Sequence, residues 1–364
     1  KIDSDLKEKL FILTPSLSDS RVKEILTRCQ FYVPGKAVEV IELSASGTLP
    51  LELAFSEQPL LHFDETRPNP NWIYRSRGGV FNVDYLNYSN DGWAWHGLLS
   101  YLAEPNRSLI SESQNRLIKK IKDLQKESFD KCYVFGTGPS LERAIDRDWS
   151  DGYRIVCNTI VRDPELWHHL NPHFIVAGDA IYHFGHTAFA RAFRADLSQR
   201  LSESNTAFVY PIQFHELVSR EFATLTNQLI PIPPGASQAI NIDLTQNFSL
   251  PALGNVLSLL LLPLACTLSK NIYLFGFDGR APNDQLFWSN SNKHTYSELM
   301  DSLKLAHPAF FDHYLTKDDP LKYVKSYHGD TLDQNLNKAE SQGWKFVMMH
   351  QRSEEHTSEL QSQR

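Results

Sequence analysis

The stretch Tyr133-Val134-Phe135-Gly136-Thr137-Gly138-Pro139-Ser140-Leu141 decides how this chain is read. Its leading apolar residues predict a buried strand. Gly136 and Gly138 allow a tight turn and a close backbone approach, because neither carries a Cβ. Pro139 suits a first helical position, where its missing N–H would be unpaired in any case. Ser140 adds a hydroxyl at the helix start, and residues 141–145 are expected to continue as helix. A helix N-terminus offers N–H groups and partial positive charge, worth roughly 0.3–1 kcal/mol to a nearby anion. The third glycine of the dinucleotide fingerprint GxGxxG is absent. The stretch alone therefore leaves two readings open, a phosphate-binding wall or a tight turn without a ligand.

Outward from this turn, strand and helix patterns alternate. Residues 111–127 have helical spacing, with Leu117, Ile118, Ile121 and Leu124 on one face. Strands are expected at 132–135, 154–157, 173–177, 207–210 and 271–275, and helices at 189–201 and 255–267. This predicts an α/β, Rossmann-like, mostly parallel sheet with helices on both faces, with ligands at the carboxyl ends of the strands. Residues 1–110 read as a small N-terminal α/β region of unknown role, or the tail of a longer upstream module. Short strands are expected there at 11–13, 37–43 and 59–63, and a helix at 19–29. Residues 111–130 form a connecting helix, and 131–350 a nucleotide-binding domain.

The chain has 364 residues, 41% hydrophobic and 22% charged, which is ordinary for a globular protein. Its net charge of −7 gives no general attraction to nucleic acid or anionic lipid. Four widely spaced cysteines without a CxxC pair argue against a zinc site or a disulfide framework and for a reducing, cytoplasmic setting. The longest apolar stretch, 256–266, is too short to span a bilayer and contains Ser258 and Pro263. The chain does not begin with Met, so its start is expected to be missing. Residues 352–362 look like the translation of a sequencing adapter, so 352–364 are expected to be an artefact and the true C-terminus to be lost.

Three blocks now carry a family resemblance. Phe135-Gly136-Thr137-Gly138-Pro139-Ser140-Leu141, Val156-Cys157-Asn158 and Ile272-Tyr273-Leu274-Phe275-Gly276-Phe277-Asp278 resemble, in order and approximate spacing, the bacterial sialyltransferases of glycosyltransferase family 42. They also resemble the related group that includes motility-associated flagellin glycosyltransferases and archaeal pterin diphosphokinases. The resemblance covers about 131–350. It implies that Gly136, Thr137, Gly138 and Ser140 meet the CMP part of a CMP-sugar, that Asn158 contacts the nucleotide sugar, and that Gly254-Asn255 offer backbone donors to it. The family has Asn where this chain has Thr137, and Asn where it has Asp179. The segment Tyr327-His328-Gly329-Asp330 resembles the one carrying the catalytic His. The family's two phosphate-holding tyrosines have no clear match. Arg280, Tyr323 and Tyr327 are the candidates for that role.

The implied activity is transfer of a CMP-activated acidic sugar, a nonulosonic acid or Kdo, to a glycan or glycoprotein acceptor. His328 would take the acceptor proton, a task worth roughly 10²–10⁴-fold. CMP leaves readily, so no cofactor and no divalent metal is required. Arg280 is either a phosphate partner or a surface turn residue. Asp278 either binds a sugar hydroxyl or braces its own loop. Asp179 either accepts a sugar hydroxyl, acts as a nucleophile in a retaining double displacement, or is an ordinary loop residue. Asp179, His183 and His186 have the residue types of a metal site, which normally needs three or four well-placed ligands, and the segment fits an acceptor-facing loop equally. Asn283 to Asn292, with Trp288, reads as a lid over the donor or an ordinary polar loop. The expected partners are a nucleotide sugar and a glycan acceptor, with no nucleic acid and a peripheral association with membrane-linked assembly of bacterial surface polysaccharide. Two rival readings stand beside this one. One is pterin or nucleotide diphosphoryl transfer with ATP and Mg²⁺, and the other is a non-catalytic nucleotide-sugar-binding module.

Overall fold

The computed structural model describes residues 9–43, 53, 57–64, 78–86, 91–103, 108–278, 293–314 and 329–349. They divide into two compact units. The first comprises Lys1–Glu104, Ala180–Arg191 and Met300–Tyr314, and the second Pro105–Asp179, Ala192–Leu299 and Leu315–Arg364. These limits differ from the contiguous spans 1–110, 111–130 and 131–350 expected from the sequence. Two later segments join the N-terminal region through long-range polar contacts: His96 Nε2 lies 3.1 Å from the Phe184 carbonyl, and His307 Nδ1 lies 2.8 Å from Asp91. Such pairings leave no local pattern in the sequence.

The first unit has a four-stranded parallel sheet in the order β2-β1-β3-β4, from β1 (Lys9–Thr14), β2 (Ala37–Glu42), β3 (Leu60–His62) and β4 (Val80–Asn82). Helix α1 (Asp19–Tyr32) makes the first crossover, and α2 (Trp93–Leu102) follows β4. Arg21 lies over the carboxyl ends of three strands. It donates to Thr14 Oγ1 at 2.8 Å, to the Phe63 carbonyl and to Asp84 at 2.6 Å. Burial raises the Asp84 carboxyl above its ordinary range, and Arg21 opposes that rise.

The second unit holds seven parallel strands in the order β11-β10-β5-β6-β7-β8-β9. They are β5 (Lys131–Phe135), β6 (Tyr153–Cys157), β7 (Phe174–Val176), β8 (Ala207–Pro211), β9 (Leu229–Ile232), β10 (Asn271–Phe275) and β11 (Lys345–Met348). The Rossmann-like α/β fold expected from strand–helix alternation is the fold observed. The sequence patterns predict no strand at β9, where Pro231 is compatible with an edge position only. It is an edge strand, paired only with β8 in this sheet. Helix α3 (Ser108–Leu124) covers it: Ser113 donates to the Pro231 carbonyl at 2.7 Å and Arg116 to the Leu229 carbonyl at 2.9 Å. Leu117, Ile121 and Leu124 turn inward on the same helix, while Ile118 is only half-buried.

Two local features sharpen the sequence reading. The helix expected from Pro139 onward forms as a 3₁₀ helix, Pro139–Asp146, in which Leu141 N donates back to the Gly138 carbonyl at 3.0 Å and closes the tighter ring. The helix expected at 255–267 opens with a π-helical turn, Leu257–Leu261, before α4 (Leu262–Leu268). Pro263 has no N–H for the Leu259 carbonyl, so the chain widens and Leu262 N reaches back to the Leu257 carbonyl. All four cysteines are free and buried. Among the described residues, no helix is long and apolar enough to cross a membrane.

Candidate functional site

In the sheet order, β6 to β9 run outward from β5 on one side, and β10 and β11 lie on the other. The strand order therefore reverses between β5 and β10, and a doubly wound sheet binds ligands beside the carboxyl ends at such a point. Phe135 pairs with Phe275 and with Val156, so Gly136 stands beside Gly276 on one side and near Cys157-Asn158 on the other.

The β5 and β10 turns interlock. Gly136 N donates to the Phe275 carbonyl and Gly138 N to the Gly276 carbonyl, both at 2.8 Å. A Cβ on Gly138 would lie 2.2 Å from Asp278 Oδ2. That same oxygen accepts from Ser140 N at 3.0 Å and from Ser140 Oγ at 2.9 Å. Asp278 therefore braces the glycine turn, the second of the two roles its sequence context allowed. The amides of Gly136, Gly138 and Ser140 are committed within the protein, which corrects the expectation that a free helix start offers them to a phosphate.

Asn158 is different. It sits one residue beyond β6 at φ +52°, a left-handed conformation that Asn tolerates better than most residues. Its Oδ1 is buried and makes no hydrogen bond to the protein. Cys157, its neighbour, is inert: burial pushes the thiol up to about 12, and its Sγ faces the Phe135 carbonyl at 3.4 Å. Asp179 is half-buried three residues beyond β7, whose Val176 pairs with Cys157. Thr137 is half-buried within the turn. Gly254 is exposed. Asn255 caps the π-helical turn, its Oδ1 accepting from Ser258 N at 2.9 Å, so its side chain is engaged with its own helix.

His328, Arg280, Tyr323, Tyr327 and Trp288 lie outside the described residues. His183 is buried and belongs to the first unit with His186, whereas Asp179 belongs to the second. Among the described residues, no three His, Cys, Asp or Glu side chains are arranged to hold a metal ion.

A set of anchoring residues was not legible beforehand. Thr159 Oγ1 donates to the His294 carbonyl, and Arg162 donates to the Thr295 carbonyl and to Glu298. Asp163 Oδ1 caps the helix Pro164–Leu170 through Leu166 N at 3.0 Å, while its Oδ2 lies 3.2 Å from His294 Nε2. Burial lowers the His294 pKa, and Asp163 opposes that shift. Tyr296 donates to Asp196 at 2.6 Å. Asp278 is thus tied to the β5 turn, and the return segment, residues 294–298, to the β6 turn. The Asp-Pro helix start at Asp163 was a readable signal, but its partner lies 131 positions away. Comparison with protein-family models, with curated proteins and with solved structures finds no match.

Proposed function

We propose that this protein is a sialyltransferase-like glycosyltransferase that takes a CMP-activated acidic sugar at the carboxyl ends of β5, β6 and β10. The observation carrying this reading is Asn158. A left-handed residue with a buried, unpartnered carboxamide oxygen, beside the point where the strand order reverses, is suited to accept a hydrogen bond from a nucleotide amine or sugar hydroxyl. The GxGPSL, Cys-Asn and Gly-Phe-Asp blocks supply the resemblance that names the nucleotide.

On this reading, Asp278 and Ser140 shape the pocket wall and Asn158 orients the donor. Asp179 accepts a sugar hydroxyl. His328, assigned through the resemblance alone, takes the acceptor proton as the anomeric carbon leaves CMP. A glycan or glycoprotein of the bacterial surface is the acceptor class, and the cytoplasmic face the working location.

The test is thermal denaturation of the full chain with CMP, UDP, GDP or ATP, followed by transfer of labelled sugar from CMP-sialic acid and CMP-Kdo. Stabilisation by CMP, with label transfer lost in His328→Ala, is the expected result. Stabilisation by ATP with Mg²⁺-dependent turnover would replace the proposal with diphosphoryl transfer. Binding of CMP without turnover of either sugar would reduce it to a nucleotide-binding module.

A further inference from the structure

The first unit encloses a polar cluster that the proposed transfer reaction does not use. Arg28, on α1, is fully buried. Its Nε donates to Glu24 at 2.8 Å and its Nη2 to the Ala306 carbonyl at 2.6 Å. Its Nη1 makes no hydrogen bond to the protein. Asp91 Oδ1 stands 3.8 Å from that nitrogen, too far for a direct hydrogen bond, and is itself unpartnered. The other oxygen of Asp91 is 2.8 Å from His307 Nδ1. The buried Nε2 of the same ring is also unpartnered. Farther along α1, Tyr32 stacks on Trp95 of α2 with ring centroids 4.9 Å apart, and the buried Trp95 Nε1–H has no partner.

A guanidinium nitrogen, a carboxylate oxygen and an imidazole nitrogen thus stand buried and unused, among them both members of an ion pair. Leaving such groups unsatisfied is costly, and native proteins rarely do so. Their chemistry restricts what satisfies them. An anion only accepts and would be repelled by Asp91. A cation only donates and would be repelled by Arg28. A neutral hydroxyl-type oxygen both accepts and donates, and one such atom bridges groups 3.8 Å apart with bonds of about 2.8–2.9 Å. We infer that this cluster is an internal binding site for a hydroxyl-type oxygen, which accepts from Arg28 Nη1 and donates to Asp91 Oδ1. His307 Nε2, a donor or an acceptor according to tautomer, is suited by the same amphoteric chemistry. A polyol or sugar hydroxyl and an ordered water share it. The inference rests on the first unit alone and stands or falls separately from the CMP-sugar reading.

A crystal structure of the full chain, at a resolution that shows ordered water, tests the site directly. Thermal denaturation with ribose and with glycerol separates the two sources of the oxygen, with 1-propanol as the single-hydroxyl control. One ordered oxygen within hydrogen-bond distance of both Arg28 Nη1 and Asp91 Oδ1 is the expected result. A rise in Tm of about 2 °C or more with a polyol, absent in Asp91→Asn, identifies a polyol as occupant. The same oxygen without a polyol response identifies water. The inference is overturned if Arg28 and Asp91 close to a direct hydrogen bond with no oxygen between them. Should Asp91→Asn fail to fold, soaking the crystal of the parent chain with ribose or glycerol serves instead, and a polyol oxygen between Arg28 Nη1 and Asp91 Oδ1 identifies the occupant.

Discussion

Gly136 and Gly276 face each other so closely that neither has room for a side chain. A Cβ on Gly276 would lie 2.3 Å from the Gly136 carbonyl oxygen, and one on Gly136 would lie 2.5 Å from the Gly276 carbonyl oxygen. Gly276 also holds φ +79°. The two turns at the β5–β10 switch are therefore a single packed object, and the glycines serve backbone contact before they serve any ligand.

Gly276→Ala should consequently destabilise the protein far more than a left-handed alanine alone. Gly35 is the internal control, with φ +82° and nothing within 4 Å of an added Cβ. Gly35→Ala should cost about 1–2 kcal/mol. Gly276→Ala should exceed that by several kcal/mol or prevent folding, as read by urea denaturation. Equal costs for the two variants would contradict the packing argument.

Ser140 and Asp278 should be energetically coupled. Ser140→Ala removes one of the two donors to Asp278 Oδ2 and keeps the backbone N–H, for a cost of about 1 kcal/mol. Asp278→Ala leaves Ser140 N and Oγ without their acceptor and should cost about 1–3 kcal/mol. A double-mutant cycle should return a coupling of at least about 0.5 kcal/mol. Simple additivity would show that the brace does not form in solution.

Asn158→Gly should separate stability from binding. Glycine adopts φ +52° without strain, so the variant should be as stable as the parent or up to about 1 kcal/mol more stable. If the proposed function holds, it should lose whatever rise in Tm CMP gives the parent, because the carboxamide is gone. A variant that still responds fully to CMP would remove Asn158 from the donor site.

His173 should make the protein sensitive to acid. Its pKa is lowered from 6.5 to about 3, first by burial and then by Arg154, whose backbone N–H donates to Nδ1 at 3.0 Å. Between those values the unfolded chain binds a proton that the folded chain refuses. The contribution is thus complete above pH 6.5, falls as pH drops, and is gone below about 3. The slope is at most about 1.4 kcal/mol per pH unit. His173→Asn, which keeps an acceptor and cannot titrate, should show a shallower fall in ΔG of unfolding between pH 6.5 and 4. Parallel profiles would rule this origin out.

Arg162 should hold the return segment near the β6 turn. It donates to the Thr295 carbonyl, pairs with Glu298 at 3.0 Å, and lies 4.8 Å from the Tyr296 ring centroid. Arg162→Ala should raise amide hydrogen exchange at 294–298 while leaving β5 and β6 protected. Uniform acceleration would mean that the segment opens only with the whole unit.

The amino-acid order made the architecture legible wherever the signal was local. Apolar runs such as Tyr133-Val134-Phe135 and 271–275 had to be buried strands, and the face of Leu117, Ile121 and Leu124 had to be a helix against a sheet, because both periodicities follow from backbone geometry. The glycines at 136, 138 and 276 were likewise visible as places where the backbone must turn tightly. What filled the space around those turns was not visible. Asp278 reaches Ser140 across 138 positions, Asp163 meets His294 across 131, and Asp91 meets His307 across 216. Each is a pairing of polar groups whose worth depends on burial, and burial exists only once the chain has folded. For the same reason two carboxylates of similar local appearance have separate fates: Asp278 closes the glycine turn of the second unit, while Asp91 stands beside Arg28 in the buried cluster of the first.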